Sequence, residues 1–168
     1  LPPHRPEPER AKIHAAVELL SKAQRPVIVA GGGVTLSQAE PELVTLAEKL
    51  SIPVATSLNA KAMFPSDHPL AAGVCGLYSR ACANQAVCAA DLVFFVGSHT
   101  GSQVTNDWRI PLKGIPIIQL DINPTELGRS FPLVLGLQGD AKASLRRMIE
   151  HAEPQAQRTE WIAQVQEW

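Results

Sequence analysis

The stretch that decides the fold is Val27-Ile28-Val29-Ala30, followed directly by Gly31-Gly32-Gly33. A short continuous apolar run is typical of a strand buried on both faces of a parallel sheet. Before it, apolar residues recur at the spacing of one helix face, at Ile13, Ala16, Val17 and Leu20. A helix that leads into a buried strand ending in glycines indicates one unit of an α/β fold.

The same alternation of helices and short apolar runs continues along the chain. Further strands are predicted at residues 53–56, 92–96, 116–120 and 133–137. Ser37 and Glu40 have capping-box spacing and predict a helix start, residues 81–90 predict another helix, and Asp140 is expected to cap a further one. This order predicts an α/β fold, a doubly wound parallel sheet of about five to six strands with right-handed crossovers, in a Rossmann-like dinucleotide-fold domain.

Two longer segments, residues 57–79 and 97–113, lack periodicity and are predicted to be loops, the first with at most one helical turn. Four prolines in the first eight residues predict an extended linker over residues 1–9. We expect the domain to span residues 10–153 and residues 154–168 to form a C-terminal helical linker segment. Because the chain has no initiator methionine, we expect it to be a piece of a longer protein.

Composition narrows the classes of function. The 168 residues are 45% hydrophobic and 18% charged, with a net charge of -1, which suits one packed domain. Arg146-Arg147 is the only adjacent basic pair, which argues against nucleic-acid binding, and no apolar run has the roughly 20 residues that cross a membrane. An odd number of cysteines, without metal-ligand spacing, indicates a protein of the reducing cytoplasm.

Candidate ligand contacts follow the predicted strands, because ligands of doubly wound sheets bind at the carboxyl ends of the strands. The residues there are Gly31, Gly32, Gly33, Thr56, Ser57, Gly97, Ser98, His99, Asp121, Ile122 and Asn123. The glycines do not match the dinucleotide fingerprint, since its third glycine position holds Leu36. They therefore predict either a nucleotide contact or a purely structural turn. Asp121 likewise predicts either a ribose acceptor or a cap of the following Asn123-Pro124 turn. No Ser-His-Asp order, metal-binding H-E-x-x-H motif, Walker loop or nucleophile elbow is present.

Seven motifs in order carry a family resemblance. They lie at residues 25–33, 52–57, 64–70, 73–76, 90–97, 120–128 and 139–142. Together they resemble the central domain of thiamine-diphosphate enzymes of the acetolactate synthase group, which includes oxalyl-coenzyme A decarboxylase. The resemblance covers residues 10 to 151.

The resemblance implies an enzyme that acts on a 2-keto acid, with thiamine diphosphate and Mg2+ held by an N-terminal and a C-terminal domain. Those two domains are the implied partners, within a homo-oligomer. The Gly-Asp-Gly run with a later Asn pair that would hold the metal has no counterpart, since Gly139-Asp140 is followed by Ala141. The chain is therefore expected to be inactive in isolation.

The resemblance also implies FAD or an adenine nucleotide in this domain. By position it adds Leu58, Cys75, Gly76, Leu77 and Glu126 to the contacts above. Flavin-bearing relatives carry two arginines and an acid after the strand glycine, where this chain has Ser98-His99-Thr100-Gly101-Ser102-Gln103. Loss of these fixed charges weakens the expected hold on a diphosphate. The alternatives are a structural spacer domain, as in a thiamine-dependent decarboxylase, and a free-standing nucleotide-binding module.

Overall fold

The computed structural model describes residues 4–79 and 81–168; residues 1–3 of the predicted linker lie outside them. The strands are β1 Pro26–Ala30, β2 Val54–Thr56, β3 Ala71–Val74, β4 Leu92–Val96, β5 Ile117–Asp121 and β6 Leu135–Gln138. The helices are α1 Arg10–Lys22, α2 Gly32–Ser37, α3 Glu40–Leu50, α4 Ala81–Ala89, α5 Ala141–His151 and α6 Thr159–Glu167. The prediction of an α/β fold with a parallel sheet is confirmed.

The six strands pair in parallel in the order β3-β2-β1-β4-β5-β6. The chain builds outward from β1 to β3, then returns to place β4 against the other side of β1. The connections after β1 and β4 therefore leave the sheet in opposite directions, and this switch point opens a crevice at the carboxyl edge.

Each strand residue packs on one of two faces because side chains alternate along a strand. On β4, Phe94 and Val96 pack with α1, α3 and α5 on one face, whereas Val93 and Phe95 pack with α4 and α6 on the other. Both phenylalanines are almost fully buried. The continuous apolar run of β4 is thus explained by helices that cover both faces of the sheet.

One strand was not predicted: β3 lies inside the segment that the sequence assigns to a loop. Its residues have small side chains and are mostly half-buried, so no apolar run predicts a strand there. Gly73 within it has a φ of 92°. β3 pairs with β2 at the edge of the sheet, with a register shift between Val54 and Ala55. The structure also places β6 two residues later than the predicted start at residue 133.

The capping-box prediction for Ser37 and Glu40 is wrong. Ser37 ends α2, and α3 begins at Glu40 after Ala39 without any side-chain cap. The hydroxyl of Ser37 instead donates to the distant Asp140, at 2.7 Å. Asp140 itself caps α5 as predicted, accepting the Ala143 N–H at 3.0 Å.

Both ends of the described chain pack on the domain. In the N-terminal segment, Pro6 accepts the backbone N–H of Asp140 at 2.8 Å. At the other end, Trp161 of α6 is buried, and its Nε1–H donates to the carbonyl of Pro26 at 3.0 Å. In the described residues, no helix combines the length and apolar character that a membrane crossing needs.

Candidate functional site

A cleft of about 660 Å³ lies at the carboxyl edge of the sheet, over the switch point between β1 and β4. Its walls come from the connections that follow β1, β2, β3, β4, β5 and β6, together with the N-terminal segment. This volume is in the range of small-molecule and cofactor sites. The cleft is therefore the candidate functional site.

The floor of the cleft is a close approach of the connections after β1 and β4. A Cβ added to Gly31 would lie 2.3 Å from the carbonyl oxygen of Gly97. A Cβ added to Gly33 would lie 2.7 Å from the Cα of Gly97. Gly31 N–H donates to Val96 at 2.8 Å and Gly33 N–H donates to Gly97 at 2.9 Å. The amide groups of both glycines are therefore bonded within the protein.

Two hydroxyl groups in the cleft have unmet hydrogen-bonding capacity. Ser57 Oγ and Thr100 Oγ1 are buried and have no hydrogen-bond partner among the residues that the structure describes, and both residues line the cleft. Thr100 is only 1% exposed and has a φ of 48°. Buried polar atoms normally have partners, so these two are candidate contacts for a polar ligand.

Asp121 ends β5 and lies in the cleft wall. Its Oδ1 accepts the N–H of Asn123 at 2.9 Å, so the turn-capping interpretation holds for one oxygen. Burial raises the pKa of Asp121 and the carboxyl of Glu126 raises it further, whereas backbone hydrogen bonds from Asn123 and Ile122 and the charge of His99 lower it in part. A carboxylate in a cleft wall can accept hydrogen bonds from hydroxyl groups.

Arg5, Ser37 and Asp140 also line the cleft and form a charged hydrogen-bonded network. Arg5 Nη1 donates to Asp140 Oδ1 at 2.8 Å and to Ser37 Oγ at 2.7 Å. Burial acts to raise the pKa of Asp140, but hydrogen bonds from Ala143, Arg5 and Ser37 outweigh it and hold the pKa below its ordinary value. The network fixes the N-terminal segment to the start of α5.

We expect Asp140→Ala to lower the free energy of unfolding by about 1–2 kcal/mol at pH 7, because it removes the cap of α5 and the partner of Arg5. Since the folded-state pKa is depressed, this stabilisation is present above the ordinary pKa of 3.8 and is lost as the pH falls through the folded-state value. Urea titrations at several pH values measure it. Asp67→Ala, in an exposed turn, is the control, and a cost that stays constant into strong acid would contradict the assignment.

The structure brings most of the sequence-predicted residues together on the cleft wall. They are Gly31, Gly32, Gly33, Ser57, Leu58, Cys75, Gly97, Ser98, His99, Asp121 and Ile122. The remaining predicted residues do not line it: Thr56, Gly76, Leu77, Asn123 and Glu126. Glu126 is buried and its Oε1 accepts from Arg129 at 3.0 Å. Burial raises the pKa of Cys75 to about 12, which makes this thiol a poor nucleophile.

Several wall residues were not predicted from the sequence. They include His4, Arg5, Leu36, Ser37, Asn59, Tyr78, Thr100, Gln103 and Asp140. Most lie beyond the first residues after a strand, or on a different segment altogether, so the strand-end rule does not find them. No group of three metal-binding side chains is present within residues 4–79 and 81–168.

The strand order and the switch-point cleft define a Rossmann-like α/β domain. Residues 13–148 match the family model described as the thiamine pyrophosphate enzyme, central domain. The chain belongs to this family.

Known proteins similar to the chain agree with this assignment. A Methanocaldococcus jannaschii protein named "Probable acetolactate synthase large subunit" is 41% identical over 82% of the chain and 23% of its own length. Glyoxylate carboligase of Escherichia coli O157:H7 is 37% identical over 99% of the chain and 29% of its own length. The X-ray structure of a Mycobacterium smegmatis enzyme, assigned as thiamin diphosphate-dependent, superposes with a TM-score of 0.73 and 28% identity, over 92% of this chain and 30% of that one. The chain thus spans less than a third of the length of these relatives.

Proposed function

We propose that the chain is the nucleotide-binding central domain of a thiamine-diphosphate-dependent, acetolactate synthase-like enzyme that acts on a 2-keto acid. The family match and the relatives support the type of enzyme. The other domains of that enzyme are the partners, within a cytoplasmic homo-oligomer. The reaction belongs to those domains, so this domain alone is inactive.

The residues of the cleft do not fit thiamine diphosphate and its Mg2+. A magnesium site needs several oxygen ligands around one point, and no such cluster exists among the described residues. The carboxylate of Asp140 already accepts hydrogen bonds from Arg5 and Ser37. Burial raises the pKa of Asp121, which disfavours the charged form that a metal ion would bind. No catalytic step through that cofactor is assigned to this chain.

The residues do fit the polar part of an adenine nucleotide, either free or as the adenosine diphosphate portion of FAD. The observation that carries the proposal is the pair of buried hydroxyls, Ser57 and Thr100, left without partners in a switch-point cleft. Asp121 adds an acceptor suited to ribose hydroxyls. Leu58 and Tyr78 supply apolar surface on the wall, where a planar ring can pack.

Calorimetric titration of the 168-residue chain with ADP and with FAD tests the proposal. We expect saturable binding of both, with quenched flavin fluorescence for FAD. Ser57→Ala and Thr100→Val should each weaken binding, because each removes a donor that the protein leaves free. Thr45→Val is the control, since Thr45 is on the exposed surface of α3 and its hydroxyl donates to the carbonyl of Pro41 in the same helix. Absence of heat and of quenching at saturating ligand would contradict nucleotide binding.

We expect Asp121→Asn to weaken adenosine binding about tenfold, because a neutral amide is a poorer acceptor for ribose hydroxyls than a carboxylate. Stability should not fall. The raised pKa means that the folded state binds the proton more tightly, so the free energy of unfolding decreases as the pH rises from 3.8 through the folded-state pKa. The Asn variant removes that penalty at pH 7 and keeps an acceptor for Asn123. Calorimetry and urea unfolding measure both effects, and unchanged adenosine affinity would exclude the ribose role.

A spacer domain is the second candidate function. It is favoured by the amides of Gly31 and Gly33, which are already bonded within the protein, and by the absence of arginine from residues 97–103. A spacer would show no binding of ADP or FAD in the same titrations, whereas a nucleotide site would show both.

A further inference from the structure

The N-terminal segment brings a cation into the cleft from outside every motif of the family resemblance. Arg5 lines the cleft, and the segment around it is held in place on the connection between β6 and α5. The carbonyl of Pro6 accepts the N–H of Asp140 at 2.8 Å. Pro8 packs so closely on Gly139 that an added Cβ there would lie 2.6 Å from Pro8 Cδ. The position of Arg5 is therefore set by the fold.

The hydrogen bonds of Arg5 all use one nitrogen. Nη1 donates to Asp140 Oδ1 at 2.8 Å, to Ser37 Oγ at 2.7 Å and to the Ser37 carbonyl at 2.9 Å. Within the described chain no acceptor bonds to Nε or Nη2, and the side chain is 29% exposed. One edge of the guanidinium, with two parallel N–H groups, is thus unused and already oriented.

The other described lysine and arginine side chains do not line this wall. Of the lysine and arginine side chains that the structure describes, only Arg5 lines the cleft. Arg129 follows β5 in the chain, but its guanidinium donates to Glu126 and to the carbonyl of His99. Among the described residues, an anionic group in the cleft therefore has one arginine to bind.

We infer that Arg5 holds the phosphate of the bound nucleotide through its Nε and Nη2 edge. The inference rests on the proposed nucleotide site and adds the residue that selects a phosphorylated ligand. Two parallel N–H groups match two phosphate oxygens. Asp140 and Ser37 orient the guanidinium from its other side, so little side-chain entropy is lost on binding.

Titrations with ADP and with adenosine test the inference on the 168-residue chain. Arg5→Gln should weaken ADP binding about ten- to hundredfold, as expected for loss of a charge-assisted pair, and leave adenosine binding unchanged. Arg5→Lys should retain part of the ADP affinity, because it keeps the charge but loses the fork.

The control is Arg25→Gln, which removes an exposed arginine that precedes β1, at the edge of the sheet opposite the cleft, and should change neither affinity. Equal ADP binding by the wild type and Arg5→Gln would overturn the inference. So would an equal loss of ADP and adenosine, because that result shows a collapsed cleft instead of a lost phosphate contact. If the wild type binds neither ligand, the proposed nucleotide site itself fails.

Discussion

Gly31→Ala is expected to lower the free energy of unfolding by about 3 kcal/mol, the largest single effect among the changes considered. The backbone of Gly31 is not the cause, because its φ of -107° and ψ of -178° suit any residue. The cause is distance: the new Cβ would lie 2.3 Å from the Gly97 carbonyl oxygen and 2.6 Å from Ser98 Cα. Both are backbone atoms, so the clash can be relieved only by separating the connections that follow β1 and β4.

The neighbouring glycine provides a matched control. A Cβ added to Gly32 would meet Asn59 Cβ at 3.6 Å, an ordinary contact, and Gly32 begins α2. Gly32→Ala should therefore be neutral or slightly stabilising, since alanine is favoured over glycine in a helix. Urea unfolding of the two variants measures the difference. If the free energy of unfolding of Gly31→Ala lies within about 0.5 kcal/mol of the wild-type value, the backbone contact between the connections after β1 and β4 does not limit residue size at position 31.

The strands that are buried on both faces could be predicted from the sequence, because they are continuous apolar runs. β1 and β4 lie at the centre of the sheet with helices on both faces, so each of their residues is buried and each reads as a continuous apolar run. β3 is an edge strand with a mostly half-buried pattern. β3 is a strand because it pairs with β2, and its own residues carry no apolar run that would predict a strand. The sequence pattern therefore predicted a loop.

The cleft was predictable only in part, for a similar reason. In a parallel sheet all strands end at one edge, so Gly97 and Asp121 could be placed at the carboxyl edge from the ends of the predicted strands. Arg5 and Asp140 are 135 residues apart, and nothing periodic or local connects them. Ser37 shows the conflict directly, because its local pattern favours a helix cap whereas the tertiary structure uses its hydroxyl to bind Asp140.

Arg158→Met is expected to lower the free energy of unfolding by about 2–3 kcal/mol, because one side chain satisfies the C-terminal carbonyl groups of two helices. Its guanidinium donates to Leu20 at 2.9 Å and to Ala23 at 3.0 Å, at the end of α1, and also to Leu50 at the end of α3. Helix ends leave such carbonyls without intrahelical partners, and a cation there also opposes the negative end of the helix dipole. Methionine fills similar volume but leaves these half-buried acceptors unpaired.

The location of the charge makes this effect specific to Arg158. Burial lowers its pKa and the charge of Asp91 offsets part of that change, so the cost of holding the cation is met mainly by neutral carbonyl groups. Arg158→Lys should recover only part of the loss, because an ammonium cannot span acceptors on two helices as the planar fork does. Arg147→Met is the matched control: Arg147 pairs with Glu7 and Glu150 on the exposed surface, where ion pairs contribute little. Equal unfolding midpoints for Arg158→Met and Arg147→Met would show that Arg158 does not join the two helix ends.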